Sequence, residues 1–70
     1  MQNTNLEKRF MKLPEVSKRV AKSRSSIYKA ISEGKFPRPY KNGERAVAWL
    51  ASEIDAFIDA QIAKAGAYHE

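Results

Sequence analysis

Two short helices separated by only two or three residues constrain this chain more than any other feature. The second is bounded by its own signals, in the run Ser23-Arg24-Ser25-Ser26-Ile27-Tyr28-Lys29-Ala30-Ile31-Ser32-Glu33-Gly34. The Ser23 hydroxyl accepts from the N–H of Ser25 or Ser26 and caps the start. Gly34 takes the left-handed conformation that ends it. The first helix is expected at 14–21. Pro14 is tolerated in a first turn, where a missing N–H costs nothing. Glu15 favours the positive end of the dipole, and Leu13, Val16 and Val20 recur at helical spacing. Two helices so closely joined leave few geometries, and a helix-turn-helix is the common one.

Helix two carries two faces. Ile27, Ala30 and Ile31 form an apolar stripe, and Arg24, Ser25, Ser26, Tyr28 and Lys29 fall off it. Arg and Lys bond guanine edges or phosphates, and Ser and Tyr bond phosphates. Tyr28 follows the core residue Ile27 and is turned about 100° away from it, toward solvent or DNA. The expectation is a recognition helix in the major groove.

Downstream, Lys35-Phe36-Pro37-Arg38-Pro39-Tyr40 reads as extended, because each proline biases its predecessor that way. Asn42-Gly43 is a strong two-residue hairpin signal. It would set Lys41 opposite Glu44 and Tyr40 opposite Arg45, and turn Val47 and Trp49 together to the core. Lys35, Arg38, Lys41 and Arg45 give this wing a basic surface, suited to a flanking minor groove or DNA backbone, or to protecting a sheet edge. Ser52-Glu53-Ile54-Asp55 has the form of a capping box. Ile54, Phe57, Ile58 and Ile62 then give helix three its stripe, with Gly66 as the stop. The expected core is Leu13, Val16, Val20, Ile27, Ile31, Phe36, Val47, Trp49, Ile54, Phe57 and Ile58. The fold class is mainly α with a small β-hairpin: a winged helix-turn-helix at 10–65, between an N-terminal arm at 1–9 and a tail at 66–70.

Charge narrows the partner. Of the thirteen Lys and Arg, twelve lie in residues 1–45 against four of the eight acids, so that part carries +8 and the remainder −3. A polyanion is the economical partner for such a surface. Lys8, Arg9 and Lys12 fit an arm on phosphates and a solubilising lead-in equally. The absence of cysteine excludes disulfides and thiolate metal sites and suits a reducing cytoplasm. No apolar run reaches membrane-spanning length, and Met1–Asn5 is polar, unlike a signal peptide. The single histidine, His69, is in the tail, the serines have no neighbouring base, and Asp55 and Asp59 read as a solvated helix face. No enzyme, cofactor or metal is expected.

The ordered series Lys12-Leu13-Pro14-Glu15-Val16, Ser23-Arg24-Ser25-Ser26-Ile27-Tyr28-Lys29, Glu33-Gly34-Lys35-Phe36-Pro37, Gly43-Glu44-Arg45-Ala46-Val47-Ala48-Trp49-Leu50 and Ser52-Glu53-Ile54-Asp55-Ala56-Phe57-Ile58 resembles the AlpA-type prophage regulators. That family is itself similar to phage excisionases and MerR-type winged helices. The resemblance covers about residues 10 to 62. It implies a cytoplasmic, nucleoid-associated bacterial protein that binds duplex DNA and regulates prophage integrase or excision genes, or acts directly in excision as an architectural factor. Self-association on DNA and contact with an integrase are further implications. The connector Val20-Ala21-Lys22-Ser23 departs from the family in lacking the glycine-leucine pair often found there. A rival reading is a protein-interaction adaptor or anti-repressor using the acidic third helix or the apolar hairpin; the charge distribution argues against it as the main role.

Overall fold

The computed structural model describes residues 8–66. Expectations for 1–7 and 67–70, including most of the arm and the tail with His69, lie outside the described residues. The chain is a winged helix-turn-helix in the order β1 (Phe10–Met11), α1 (Leu13–Val20), α2 (Arg24–Ser32), β2 (Tyr40–Lys41), β3 (Val47–Leu50) and α3 (Ala51–Ala65).

α1 starts at Lys12 without a side-chain cap; Pro14 lies in its first turn, and Glu15 meets Arg9 at 3.2 Å. It ends on Ala21, which adopts φ 58° and ψ 43°, while the Lys22 N–H reaches back to the Ser17 carbonyl at 3.2 Å. The Ser17 hydroxyl donates in turn to the Lys22 carbonyl. α2 is capped as expected: the Ser26 N–H donates to the Ser23 hydroxyl at 3.2 Å. It closes with Gly34 at φ 73° and the Lys35 N–H on the Ala30 carbonyl at 2.8 Å. Both helices thus end in the same closure, a left-handed residue followed by an N–H that returns five residues. One uses glycine and the other alanine.

β3 is the centre of a three-stranded antiparallel sheet in the order β1-β3-β2. The expected wing had two strands; the third is β1, which pairs Phe10 with Leu50 and Met11 with Trp49. The hairpin register also differs from the two-residue turn. Lys41 lies opposite Val47 and Tyr40 opposite Ala48, leaving 42–46 as the loop, closed by the Asn42 N–H on the Ala46 carbonyl at 2.8 Å. In the register adopted, the Asn42–Ala46 hydrogen bond closes a five-residue loop, and pairing stops at Tyr40, before Pro39, which has no N–H to donate. The Pro37 carbonyl instead accepts from the Trp49 indole at 3.0 Å.

β3 runs straight into α3. Leu50 therefore occupies the N-cap position, Ser52 lies inside the first turn, and no side chain caps the helix. The Ser52 capping box does not form. The first amide of the helix, Ala51 N–H, is taken by the Arg9 carbonyl at 2.7 Å. That bond and the β1 pairing tie the chain's beginning to its middle.

The core holds Met11, Val16, Ile27, Phe36, Trp49, Ala51 and Ile54, with Leu13, Val20, Ala30, Ile31, Phe57 and Ile58 packed partly against it. Phe36 lies tilted on Phe57 at 4.6 Å between ring centroids. Two expectations are corrected. Val47 is 38% exposed, because it sits on the wing beyond the edge of the core although it shares Trp49's face. Ile62 is 63% exposed, because α3 extends past the elements it packs on.

Candidate nucleic-acid interface

The nine residues singled out from the sequence are all exposed. Five lie on α2 and two, Lys41 and Arg45, on the hairpin. Arg24, Ser25, Ser26, Tyr28 and Lys29 belong to α2, whose nine residues make a rod about 13 Å long, close to the width of a major groove. Ser26 is partly engaged in the cap, where its hydroxyl accepts from Ser23 at 3.1 Å. Ser25 has no hydrogen-bond partner among the described side chains.

Tyr28 joins the helix to the wing. Its ring meets the edge of the buried Trp49 ring at 6.2 Å and 64°, while the Arg24 guanidinium carbon stands 5.7 Å from its centroid. Tyr28 is still 38% exposed. The ring is thus packed on a core residue and accessible at the same time. Directly opposed residues of an antiparallel pair share a face, as do alternate residues of a strand. Lys41, Val47 and Trp49 therefore share the face on which Tyr28 rests. Tyr28 is thus where α2 meets the sheet, on the face that Lys41 shares, and Arg45 lies in the 42–46 loop.

Lys35 and Arg38 are placed differently. Lys35 lines a cleft against α3 with Lys22, Gln61 and Lys64. Arg38 lines another with Tyr40, Glu53 and Phe57. Neither is brought to the Tyr28 face.

Acids are held mostly away from that face. Asp55 is bound by Arg19 and Glu15 by Arg9. Glu53 accepts from the Tyr40 hydroxyl at 2.9 Å. That hydrogen bond, the carboxylate's charge and partial desolvation raise the Tyr40 phenol above its usual range. Glu33 lies 4.0 Å from both Lys29 and Lys35. Exposed pairs at that separation are worth little, so Lys29 is readily released to a phosphate. Among the described residues no salt bridge engages Arg24, Arg38, Lys41 or Arg45. The residue missed in the sequence is Tyr40, which ties the wing to α3; its partner is thirteen positions away and no local pattern links them. Among the described residues no cluster of His, Cys, Asp or Glu is suited to a metal ion, and no helix is long and apolar enough to cross a membrane.

The chain is thus a winged helix-turn-helix with exposed cations on its second helix and its hairpin. The family model described as Prophage CP4-57 regulatory protein (AlpA) matches residues 9–62, and the chain belongs to this family of prophage regulatory proteins. It is also 42% identical over 57 residues to the uncharacterized protein ORF88 of Enterobacteria phage P4, a match covering 81% of this chain and 65% of that relative. The chain thus spans just under two thirds of the relative's length. No solved structure matches the chain.

Proposed function

We propose that the chain binds duplex DNA sequence-specifically and regulates integrase or excision genes of a prophage. α2 enters the major groove, with Arg24, Ser25 and Lys29 toward base edges and the Tyr28 hydroxyl toward a phosphate. The wing lies along the flanking backbone through Lys41 and Arg45. The observation that carries this reading is the Arg24–Tyr28–Trp49 series of contacts, which seats the cationic side of α2 against the sheet face that Lys41 shares. A DNA target places the protein at the nucleoid, in the cytoplasm.

The test is fluorescence anisotropy with random duplex and with fragments selected by the protein from a random library, at two salt concentrations. Wild type should show a steep loss of affinity with salt. Lys29→Ala should cost about 1–3 kcal/mol on the selected site for a base contact, or flatten the salt slope by about one for a phosphate contact. Tyr28→Phe keeps the ring contacts and removes the hydroxyl, so its effect should be of the phosphate kind. No duplex binding at low salt, or unchanged affinity in both variants, defeats the reading.

A further inference from the structure

On the side of α3 that faces α1 and the end of α2, two clefts run together. One is lined by Val20, Phe57, Ile58 and Ile62. The other is lined by Lys22, Lys35 and Lys64. Lys22, Phe57 and Gln61 belong to both, so they form one groove. Its floor is apolar and its border cationic.

The groove arises because α3 is longer than the core it covers. Its first turn buries Ile54 completely, and Phe57 and Ile58 are half-covered one turn on. The same side then continues as Gln61, Ile62 and Lys64, all exposed, with Ile62 at 63%. Lys64 is the one cation after residue 45, and it lies with Lys22 and Lys35 around this groove. Neither Lys22 nor Lys64 has a carboxylate partner among the described residues.

We propose that this groove is a docking surface for an acidic amphipathic helix of a partner protein. Apolar anchors spaced three and four residues apart would cover Val20, Phe57, Ile58 and Ile62, the helix-in-groove mode of recognition. Glu or Asp beside those anchors would meet Lys22, Lys35 and Lys64. DNA supplies charge but no apolar surface for Ile62. A second copy fits poorly. Among the described helices α2 has no acid and α1 only Glu15, held by Arg9, while α3, which combines apolar residues with Glu53, Asp55 and Asp59, is the groove's own wall.

The groove proposal stands independently of the DNA reading, and its test separates the two. The probe is a synthetic amphipathic peptide of about 18 residues, long enough to be helical, with Leu at core spacing and Glu on the flanks. Controls replace Leu by Gln, or Glu by Lys. The isotope-labelled full chain is titrated by NMR, free and bound to duplex. Amide shifts should centre on Val20, Phe57, Ile58, Ile62 and Lys64, on both forms of the protein, and neither control peptide should produce them. Ile62→Gln should weaken peptide binding at least about tenfold, the scale of losing one well-buried anchor, and leave duplex affinity unchanged. Ile62 is exposed enough that this variant should fold. Shifts on Arg24–Lys29 with displacement by DNA would mean the peptide only senses the cationic face, and would overturn the proposal. So would groove shifts that follow protein concentration without peptide, which assign the groove to a second copy. A rise in peptide affinity on deleting residues 67–70 would assign it to the chain's own end, with the same consequence. Loss of duplex binding alone would overturn the DNA reading and leave the groove standing.

Discussion

Ala21 should be the easiest place to stabilise this protein, and Gly34 the mirror control. Both hold the left-handed residue of the same helix closure, at φ 58° and φ 73°. An L side chain there brings Cβ against the following carbonyl and costs about 1–2 kcal/mol. Glycine avoids that but loses about 0.4–1 kcal/mol more chain entropy on folding. The balance favours glycine by about 0.5–1 kcal/mol. A Cβ built on Gly34 meets no heavy atom within 4 Å, so the effect of adding one is conformational, not steric. Ala21→Gly should therefore stabilise by about 0.5–1 kcal/mol and Gly34→Ala should destabilise by about the same. In a domain this small, 1 kcal/mol shifts Tm by roughly 4–8 °C, so shifts of about 3–6 °C in opposite directions are expected. Thermal and urea unfolding, followed by far-UV circular dichroism and by the fluorescence of the single tryptophan, Trp49, measure both. A lower Tm for Ala21→Gly, or a higher one for Gly34→Ala, refutes the reasoning.

Three further outcomes are expected. Trp49→Ala removes a fully buried ring and leaves the Pro37 carbonyl without its donor; a loss of about 3–5 kcal/mol in urea denaturation is expected, and wild-type stability would show that Trp49 is not the core's anchor. The double change Lys41→Ala with Arg45→Ala should lower affinity for specific and random duplex alike and flatten its salt dependence by up to about two counterions; an unchanged titration would confine DNA contact to α2. The Tyr40 phenol is raised in the fold above its ordinary 10.0 by the Glu53 carboxylate, so its contribution is complete below that pH and is lost as pH rises through the folded value; Tyr40→Phe should remove that alkaline step from melting curves, and an identical alkaline profile in both proteins would show that the bond to Glu53 carries no linkage.

Local signals were legible wherever the deciding partner lies within a few residues. Ser23 caps α2 because its acceptor, the Ser26 N–H, is three positions away, and Gly34 closes it by bonds spanning five. The faces of α2 follow from helical geometry alone. The hairpin register departs from the Asn42-Gly43 expectation because it is set by strand pairing, Lys41 with Val47 and Tyr40 with Ala48, and not by the turn dipeptide alone. The Ser52 box failed for a similar reason: β3 delivers Leu50 into the N-cap position, and Arg9, some forty residues earlier, supplies the acceptor for Ala51. Met11 is absent from the expected core because a two-residue extended piece has no periodicity to reveal its partner; it is buried opposite Trp49. At the candidate site, residue types were readable and their grouping was not, since Lys35 and Arg38 follow the Pro-rich segment to α3 and not to the Tyr28 face.

The register shift is also what gives the DNA reading its geometry. Strand faces alternate, so slipping the hairpin from a pairing of Tyr40 with Arg45 to one with Ala48 changes which face each wing residue occupies relative to Trp49. With Lys41 opposite Val47, the lysine shares Trp49's face, the one that supports Tyr28. The two-residue turn would have set Lys41 opposite Glu44, a residue on the other face from Val47 and Trp49, and buried its cation's charge in a cross-strand pair. The register adopted therefore sets Lys41 on Trp49's face, opposite Val47 in place of a carboxylate. Restoring the shorter turn would break the continuity between helix and wing even with every basic residue still in place.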